Sequence, residues 1–388
     1  MEHGRIRKRC GDDLRILVTD GGYKHTLAIV RQLGPKHEVY TASTRRFSMG
    51  GLSRWTYRNL RCPQVSDGPS YVRWLDEVVR RYRFDQIIPV GGASCGVIAE
   101  HRDRWLPATR IVLPSVETVR RALNKRAMNE LATTLGLPAP RSAHPQSIDE
   151  VEACAESVGF PLVIKGTGDG SRVAYVSRPE DLRSHYREYV ARNPLPAASL
   201  PMLQQQIIGE GFGVFATYQD GRCRRIMGHH RIREYPPTGG DSACAELFAD
   251  PTLLDLGVRI LDALAWHGVA MVEFKRNDID GLFYLMEVNP KFWGSLDLAL
   301  AAGCDFPGDL LRIAAGDDLP ELGPPSLQLR FCWPISGDVP HIASRPSAWR
   351  AVLHDWLDRS VQTNIRPSDP LPHLVELAKC VRTLSRRP

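Results

Sequence analysis

Glu287, Asn289 and Lys291 bring a carboxylate, an amide and a cation into one short stretch of this chain. Leu285, Met286 and Val288 around them read as a β-strand. Its two-residue period puts Glu287 and Asn289 on one face, with Met286 and Val288 on the other. Upstream, Val269 to Lys275 is a second strand candidate that carries Glu273, and Asn277 to Gly281 is turn-rich punctuation between two antiparallel strands. Such a hairpin sets Glu273 near Glu287. Like charges facing each other across a strand pair repel, so the pair makes best sense with a cation between them. Mg²⁺ suits this place, because it uses one or two protein carboxylates and completes its shell with phosphates and water. The alternative is that both glutamates lie on a solvated sheet face.

Lysine usage points the same way. The chain has 50 Lys plus Arg, and only Lys8, Lys24, Lys36, Lys125, Lys165, Lys275, Lys291 and Lys379 are lysine. Lys165 closes the apolar strand Pro161 to Ile164 and opens a loop with Gly166, Gly168, Gly170, Ser171 and Arg172. Glycines let backbone N–H groups approach phosphate oxygens, and a lysine at the strand end adds a point charge. No Gly-Lys-Ser/Thr closes the loop, so it is not a Walker A sequence. Taken alone it reads equally as an ordinary glycine-rich hairpin.

The order of these pieces carries more than any one of them: Lys125 on a helix, Lys165 before the glycine loop, an edge segment from Leu203 to Gly211, then Glu273, then Glu287 to Lys291. Together with Arg231 to Gly240, Trp266 to Lys275 and Asn289 to Ser295, this order resembles the ATP-grasp superfamily. Within it, the chain is similar to carboxylate-amine ligases of the kind found in carbamoyl-phosphate synthase large-subunit domains. The resemblance covers about residues 110 to 315. It implies an α/β architecture in which an N-terminal parallel α/β domain precedes a two-lobed ATP-grasp domain with antiparallel sheets. It also implies ATP and Mg²⁺ as cofactors, with Mn²⁺ able to replace Mg²⁺.

The resemblance assigns roles residue by residue. Lys125 and Lys165 would contact the phosphates and adenine edge, and Gly166 to Arg172 would fold over the phosphates. Gln205, Gln206 and Ile207 would line the adenine. Gln205 stands where many relatives carry glutamate, and its amide oxygen can still accept from the adenine amino group. Glu210 has two readings, ribose contact or plain exposure. Glu273, Glu287 and Asn289 would hold the metal. Lys291 stands where relatives usually place arginine, and lysine lacks the two-pronged fork of a guanidinium. Arg231 and Arg233 are therefore the better candidates to hold the acceptor carboxylate, with His229 and His230 read as ordinary strand histidines. The implied reaction is phosphoryl transfer from ATP to a carboxylate, then attack of an amine on the acyl phosphate. Two alternatives stay open: another acceptor, as in a thiol ligase or kinase-like enzyme, and a non-catalytic nucleotide-binding regulator.

With 388 residues, 43% of them hydrophobic and 24% charged, the chain has the composition of a soluble globular protein of two to three domains. The net charge of +6 comes without an RNP, zinc-finger or helix-turn-helix signature, so no nucleic-acid partner is expected. The basic balance suits ATP and carboxylates, and the expected partners are small-molecule carboxylate and amine substrates. The nine cysteines include no CxxC pair, so neither a zinc site nor a disulfide framework follows. No secretory core and no apolar run of spanning length occur, so a cytoplasmic protein with no membrane partner is expected. A homodimer stays open.

The elements that must position these groups follow from local pattern. Residues 1–112 read as the parallel α/β domain, with strands at Arg15 to Val18, Glu38 to Tyr40 and Phe84 to Val90, a helix at Thr26 to Leu33, and Gly91 to Ser94 at a strand's C-terminal end. Residues 113–316 read as the ATP-grasp domain, with its small lobe at about 145–210. One helix is expected from Ser115 through Lys125 to a stop at Gly136, and a second from a capping box at Ser147 and Glu150. Asp220 and Gly221 signal a tight hairpin. Asp250 with Pro251 signals a helix start. Residues 317–388 read as a C-terminal extension with helices at Trp349 to Leu357 and Leu371 to Leu384.

Overall fold

The computed structural model describes residues 13–106, 108–166, 173–193 and 200–385. The N-terminal segment forms β1 (Arg15–Val18), β2 (Glu38–Ser43), β3 (Arg58–Arg61), β4 (Gln86–Ile88) and β5 (Arg110–Ile111). They make one parallel sheet in the order β3-β2-β1-β4-β5. β1 and β2 are buried through their middle because helices cover both faces of a parallel sheet. The apolar side of the helix Lys24–Leu33 packs there, with Ile16, Val18, Ile29, Val30 and Ile88 in the same core.

A second, four-stranded sheet has the order β6-β9-β7-β8, from β6 (Ser142–Ala143), β7 (Leu162–Lys165), β8 (Val173–Val176) and β9 (Met202–Gln205), all paired antiparallel. The helices Val151–Val158 and Leu182–Arg192 bury Ala155, Val158, Leu182 and Tyr186 against Leu162, Ile164 and Leu203. The third sheet uses β10 (Gly209–Gln219), β11 (Arg222–Tyr235), β12 (Asp241–Leu247), β13 (Gly268–Asn277), β14 (Phe283–Asn289), β15 (Arg330–Cys332) and β16 (Gln362–Thr363), in the order β14-β13-β10-β11-β12-β15-β16. Parallel α/β first and antiparallel sheets after it is the order expected from the sequence. Asp220 and Gly221 both take positive φ, 51° and 76°, as a two-residue hairpin turn with right-handed strand twist requires.

The chain divides into two compact units. One holds Met1–Val119, Gly213–Met271 and Pro290–Pro388, and the other holds Arg120–Phe212 and Val272–Asn289. The segment read as a C-terminal extension is part of the first unit, since β15 pairs antiparallel with β12, Cys244 opposite Cys332. Its helices, Trp349–Leu357 and Leu371–Ser385, match the expected spans.

Two local expectations are corrected. The single helix through Lys125 is two, Val116–Ala122 and Lys125–Thr134, because the Asn124 side chain accepts from the Arg126 and Ala127 N–H groups and starts a new helix. The capping box at Ser147 does not form, and the Glu150 carboxylate instead accepts from Gln146 N at 2.9 Å. At Asp250 the expectation holds, with Oδ1 accepting from Leu253 N at 2.9 Å. Asp250→Ala should therefore cost about 1 kcal/mol of unfolding free energy in urea.

Candidate active site

β13 and β14 deliver the acidic groups. Asn289 is buried, and its Nδ2 donates to Glu273 Oε1 at 3.1 Å and to Glu287 Oε1 at 2.8 Å. One amide nitrogen thus spans both carboxylates, which brings the three candidate metal ligands together. The helix Lys125–Thr134 packs on β14 and presents Lys125 from its first position, with Nζ 3.3 Å from Glu287 Oε2.

Lys165 sits at the end of β7 with 6% of its surface exposed. Burial pushes its pKa down to about 8; the Lys125 charge pushes the same way and Glu287 opposes both. Lys125 and Glu287 both act on the Lys165 charge, and the two lysines leave the site favourable to further negative charge. The sign of the stability effect follows. The folded value lies below the ordinary 10.5, so the unfolded chain holds the proton more tightly, and the penalty fades as pH rises from about 8 to 10.5. Lys165→Met should raise the stability of the ligand-free protein at pH 7 by about 1–3 kcal/mol, read by urea unfolding. An unchanged or lowered midpoint counts against a desolvated charge at this position.

Gly166 N donates to Tyr189 OH at 2.8 Å, which ties the start of the glycine loop to the helix Leu182–Arg192. Gly168, Gly170, Ser171 and Arg172 lie outside the described residues. Gln205 ends β9, and its Oε1 accepts from Arg141 N at 3.3 Å. Gln206 N donates to Pro161 O at 3.1 Å. Ile207 is buried, and its carbonyl accepts from Lys275 Nζ at 3.5 Å. Lys275, one of the chain's few lysines, makes this carbonyl contact. Gly209 is required where it stands, because a Cβ there would come within 1.9 Å of the Arg276 carbonyl oxygen and φ is 148°. Glu210, the next residue, is exposed.

Arg231, Arg233 and Lys291 belong to the other unit. Arg231 Nη1 donates to Glu234 Oε1 at 3.2 Å and to Gly240 O at 3.3 Å, which anchors the loop that begins at Tyr235. Arg233 is a correction. Its guanidinium donates to Asp338 and Asp355 and lies 3.4 Å from Cys332 Sγ, all buried, so its fork is taken up inside the protein. His229 is buried, with Nδ1 3.2 Å from Ser295 Oγ and its ring edge-on to Phe215. Burial holds it neutral.

A cluster the sequence did not flag surrounds Asp241. Crowding by protein pushes this carboxylate up although the residue is exposed at the start of its strand, but Lys24, His25, Arg231 and Lys291 outweigh it and hold the group below its ordinary value. Lys24 Nζ donates to Ser242 O at 2.9 Å and lies over the Trp333 ring. His25 is driven down to about 3 by burial, against the pull of Asp241, and neither ring nitrogen has a hydrogen-bond partner among the described residues. Lysine scarcity marks Lys24, whereas His25 and Asp241 carry no comparable signal in sequence.

No protein-family model matches the chain. Among curated proteins it is similar to the N-terminal section of the carbamoyl phosphate synthase large chain of Aquifex aeolicus, 24% identical over 268 residues, or 64% of this chain and 47% of that protein. It is also similar to D-alanine–D-alanine ligase of Stutzerimonas stutzeri, 29% identical over 220 residues, or 52% of this chain and 67% of that protein. Among solved structures it matches the biotin carboxylase domain of Hydrogenobacter thermophilus 2-oxoglutarate carboxylase, with TM-score 0.61 and 14% identity over 79% of this chain and 70% of that one. The chain has the ATP-grasp fold and a distant sequence similarity to ATP-grasp proteins. It spans about half the length of the Aquifex relative. The biotin carboxylase domain was solved as a dimer with MgADP, ADP and bicarbonate, and its ATP-grasp fold is that of the sheets described above. Among the described residues no helix is long and apolar enough to cross a membrane.

Proposed function

We propose that this ATP-grasp protein is an ATP- and Mg²⁺-dependent ligase that activates a carboxylate as an acyl phosphate and joins it to an amine, releasing ADP and phosphate. The observation that carries the reading is the Asn289 amide spanning Glu273 and Glu287, with Lys125 on Glu287 and Lys165 buried beside them in charge terms. Two carboxylates that reach one nitrogen fit a hard cation in the same place, and a turn of the Asn289 carboxamide offers its oxygen as a third ligand. Mg²⁺ or Mn²⁺ held by Glu273, Glu287 and Asn289 would neutralise charge on the β and γ phosphates. Lys125 and Lys165 bind phosphate oxygens, and the low local dielectric around Lys165 strengthens that contact. Gly166, Gly168, Gly170, Ser171 and Arg172 cover the phosphates, while Gln205, Gln206, Ile207 and Glu210 form the adenine and ribose side.

Arg231 and Lys291 are the groups proposed to hold the acceptor carboxylate; Arg233 leaves this role. The reaction needs no side-chain nucleophile, because positioned cations and ligands supply orientation and charge neutralisation. Similarity to a D-alanine–D-alanine ligase supports an amine as the second substrate. A cytoplasmic location and a homodimer belong to the same proposal.

The test is incubation with ATP, Mg²⁺, hydroxylamine and a panel of carboxylic and amino acids. Hydroxamate with ADP supports the ligase; AMP with pyrophosphate contradicts an acyl phosphate. Lys165 also sets a pH dependence. Its ammonium is mainly protonated at pH 7 and mainly neutral above pH 8, so ADP affinity should fall about tenfold from pH 7 to 9.5 in calorimetric titrations. A flat profile would remove Lys165 from the phosphate site.

A further inference from the structure

A cavity of about 380 Å³ opens in the N-terminal α/β segment, where Asp20, Ser43, Arg45, Phe47, Tyr71 and Lys379 contribute to its lining. It lies past the carboxyl ends of β1 and β2, the edge at which open parallel sheets present ligand sites. Asp20 follows β1 with φ 55°. Its Oδ2 accepts from Thr19 Oγ1, from Ser94 Oγ and from Gly91 N, the last at 2.9 Å. Three donors on one oxygen lock the carboxylate in place, and Oδ1 takes no hydrogen bond from the described residues. Glycine at position 91 favours this placement, since a Cβ there would press on the Asp20 carboxylate at 3.0 Å.

Tyr71 is a second, independent sign of a ligand. It is 1% exposed, it lines the cavity, and its hydroxyl has no hydrogen-bond partner among the described residues. A buried phenol without a partner costs about 1–3 kcal/mol, which a bound polar group would recover. Burial, with the Asp20 charge adding to it, pushes the Tyr71 pKa well up, so the hydroxyl remains a neutral donor.

The cations complete the chemistry. Arg45 is exposed at the cavity, and Lys379 reaches it from the helix Leu371–Ser385, donating to Gly22 O. Neither cation forms an ion pair with Asp20 among the described residues. Charges of both signs that line one small cavity without neutralising each other match a ligand that also carries both. We propose that this cavity binds a free amino acid, with its ammonium on Asp20 Oδ1, its carboxylate on Arg45 and Lys379, and Tyr71 OH on the remaining polar group. The site is defined by groups outside the proposed ATP site and stands independently of the ligase reading. It also gives the C-terminal segment a role, the delivery of Lys379.

The test is calorimetric titration of the full chain with each standard amino acid, then with the des-amino and decarboxylated analogues of any that binds. At least one amino acid should bind below about 1 mM, and neither analogue should bind measurably. Asp20→Asn should weaken binding at least about tenfold, and Arg45→Ala and Tyr71→Phe about three- to fivefold. Bound ligand should also slow alkylation of Cys62, another lining residue, read by peptide mass mapping. If Asp20→Asn does not fold, Arg45→Ala and Tyr71→Phe carry the test, with the circular-dichroism melt reporting fold. Absence of binding across the amino acids overturns the proposal. So does binding that is unchanged in the variants, or equal affinity for the analogues.

Discussion

Glu287→Gln is expected to lower MgADP affinity about 10- to 100-fold, to leave the affinity for metal-free ADP within about threefold, and to cut turnover about 1000-fold. The substitution keeps shape and removes one negative charge. Gln can still accept from Asn289 Nδ2, which is 2.8 Å from Glu287 Oε1 in the native site, so the end of β14 should hold. Lys125, now 3.3 Å from Glu287 Oε2, loses its counter-ion and becomes more available to phosphate, so binding of bare nucleotide need not suffer. The selectivity between MgADP and ADP is therefore the informative quantity, and calorimetry with and without EDTA reads it. Equal losses for both would place Glu287 on the nucleotide rather than on a metal. No loss for either would remove it from the site.

Much of this site was legible because short-range rules happen to govern it. The period of two along β14 put Glu287 and Asn289 on one face, and the turn residues from Asn277 to Gly281 set the hairpin that returns Glu273 to them. Lysine scarcity drew attention to Lys165 before its glycine loop, and the order of motifs along the chain picked out Lys125. What local pattern could not show is which cation meets which anion across distant segments. Arg231 and Arg233 are two residues apart and chemically identical in sequence, yet one anchors the loop after Tyr235 and the other is consumed by Asp338 and Asp355. The same limit hid Asp20, Arg45 and Lys379, which meet only because a C-terminal helix returns to the N-terminal sheet. The break before Lys125 failed for a smaller reason: Asn124 is a modest interior residue but a strong cap, and the cap won.

Arg233→Met should cost about 3–5 kcal/mol of unfolding free energy at pH 7–8, the loss expected when one partner of a buried ion pair is removed and the other stays. Arg233 Nε donates to Asp338 Oδ1 at 3.0 Å, and Asp338 is fully buried. Asp355 keeps a second partner, Arg330 Nη1 at 2.9 Å, whereas Asp338 keeps only the Trp356 indole N–H at 2.9 Å among the described residues. Burial already pushes the Asp338 pKa up against the opposing pull of Arg233. Removing that pull raises it further, so the folded state then prefers the protonated acid and its penalty grows as pH rises above the ordinary carboxylate range. The cost should accordingly be smaller at pH 5 than at pH 8, and Arg233→Met combined with Asp338→Asn should recover part of it. Urea unfolding at both pH values reads these differences. A residue that instead held a substrate carboxylate would show the opposite signature, near-native stability with impaired turnover, and that result would return Arg233 to the substrate site.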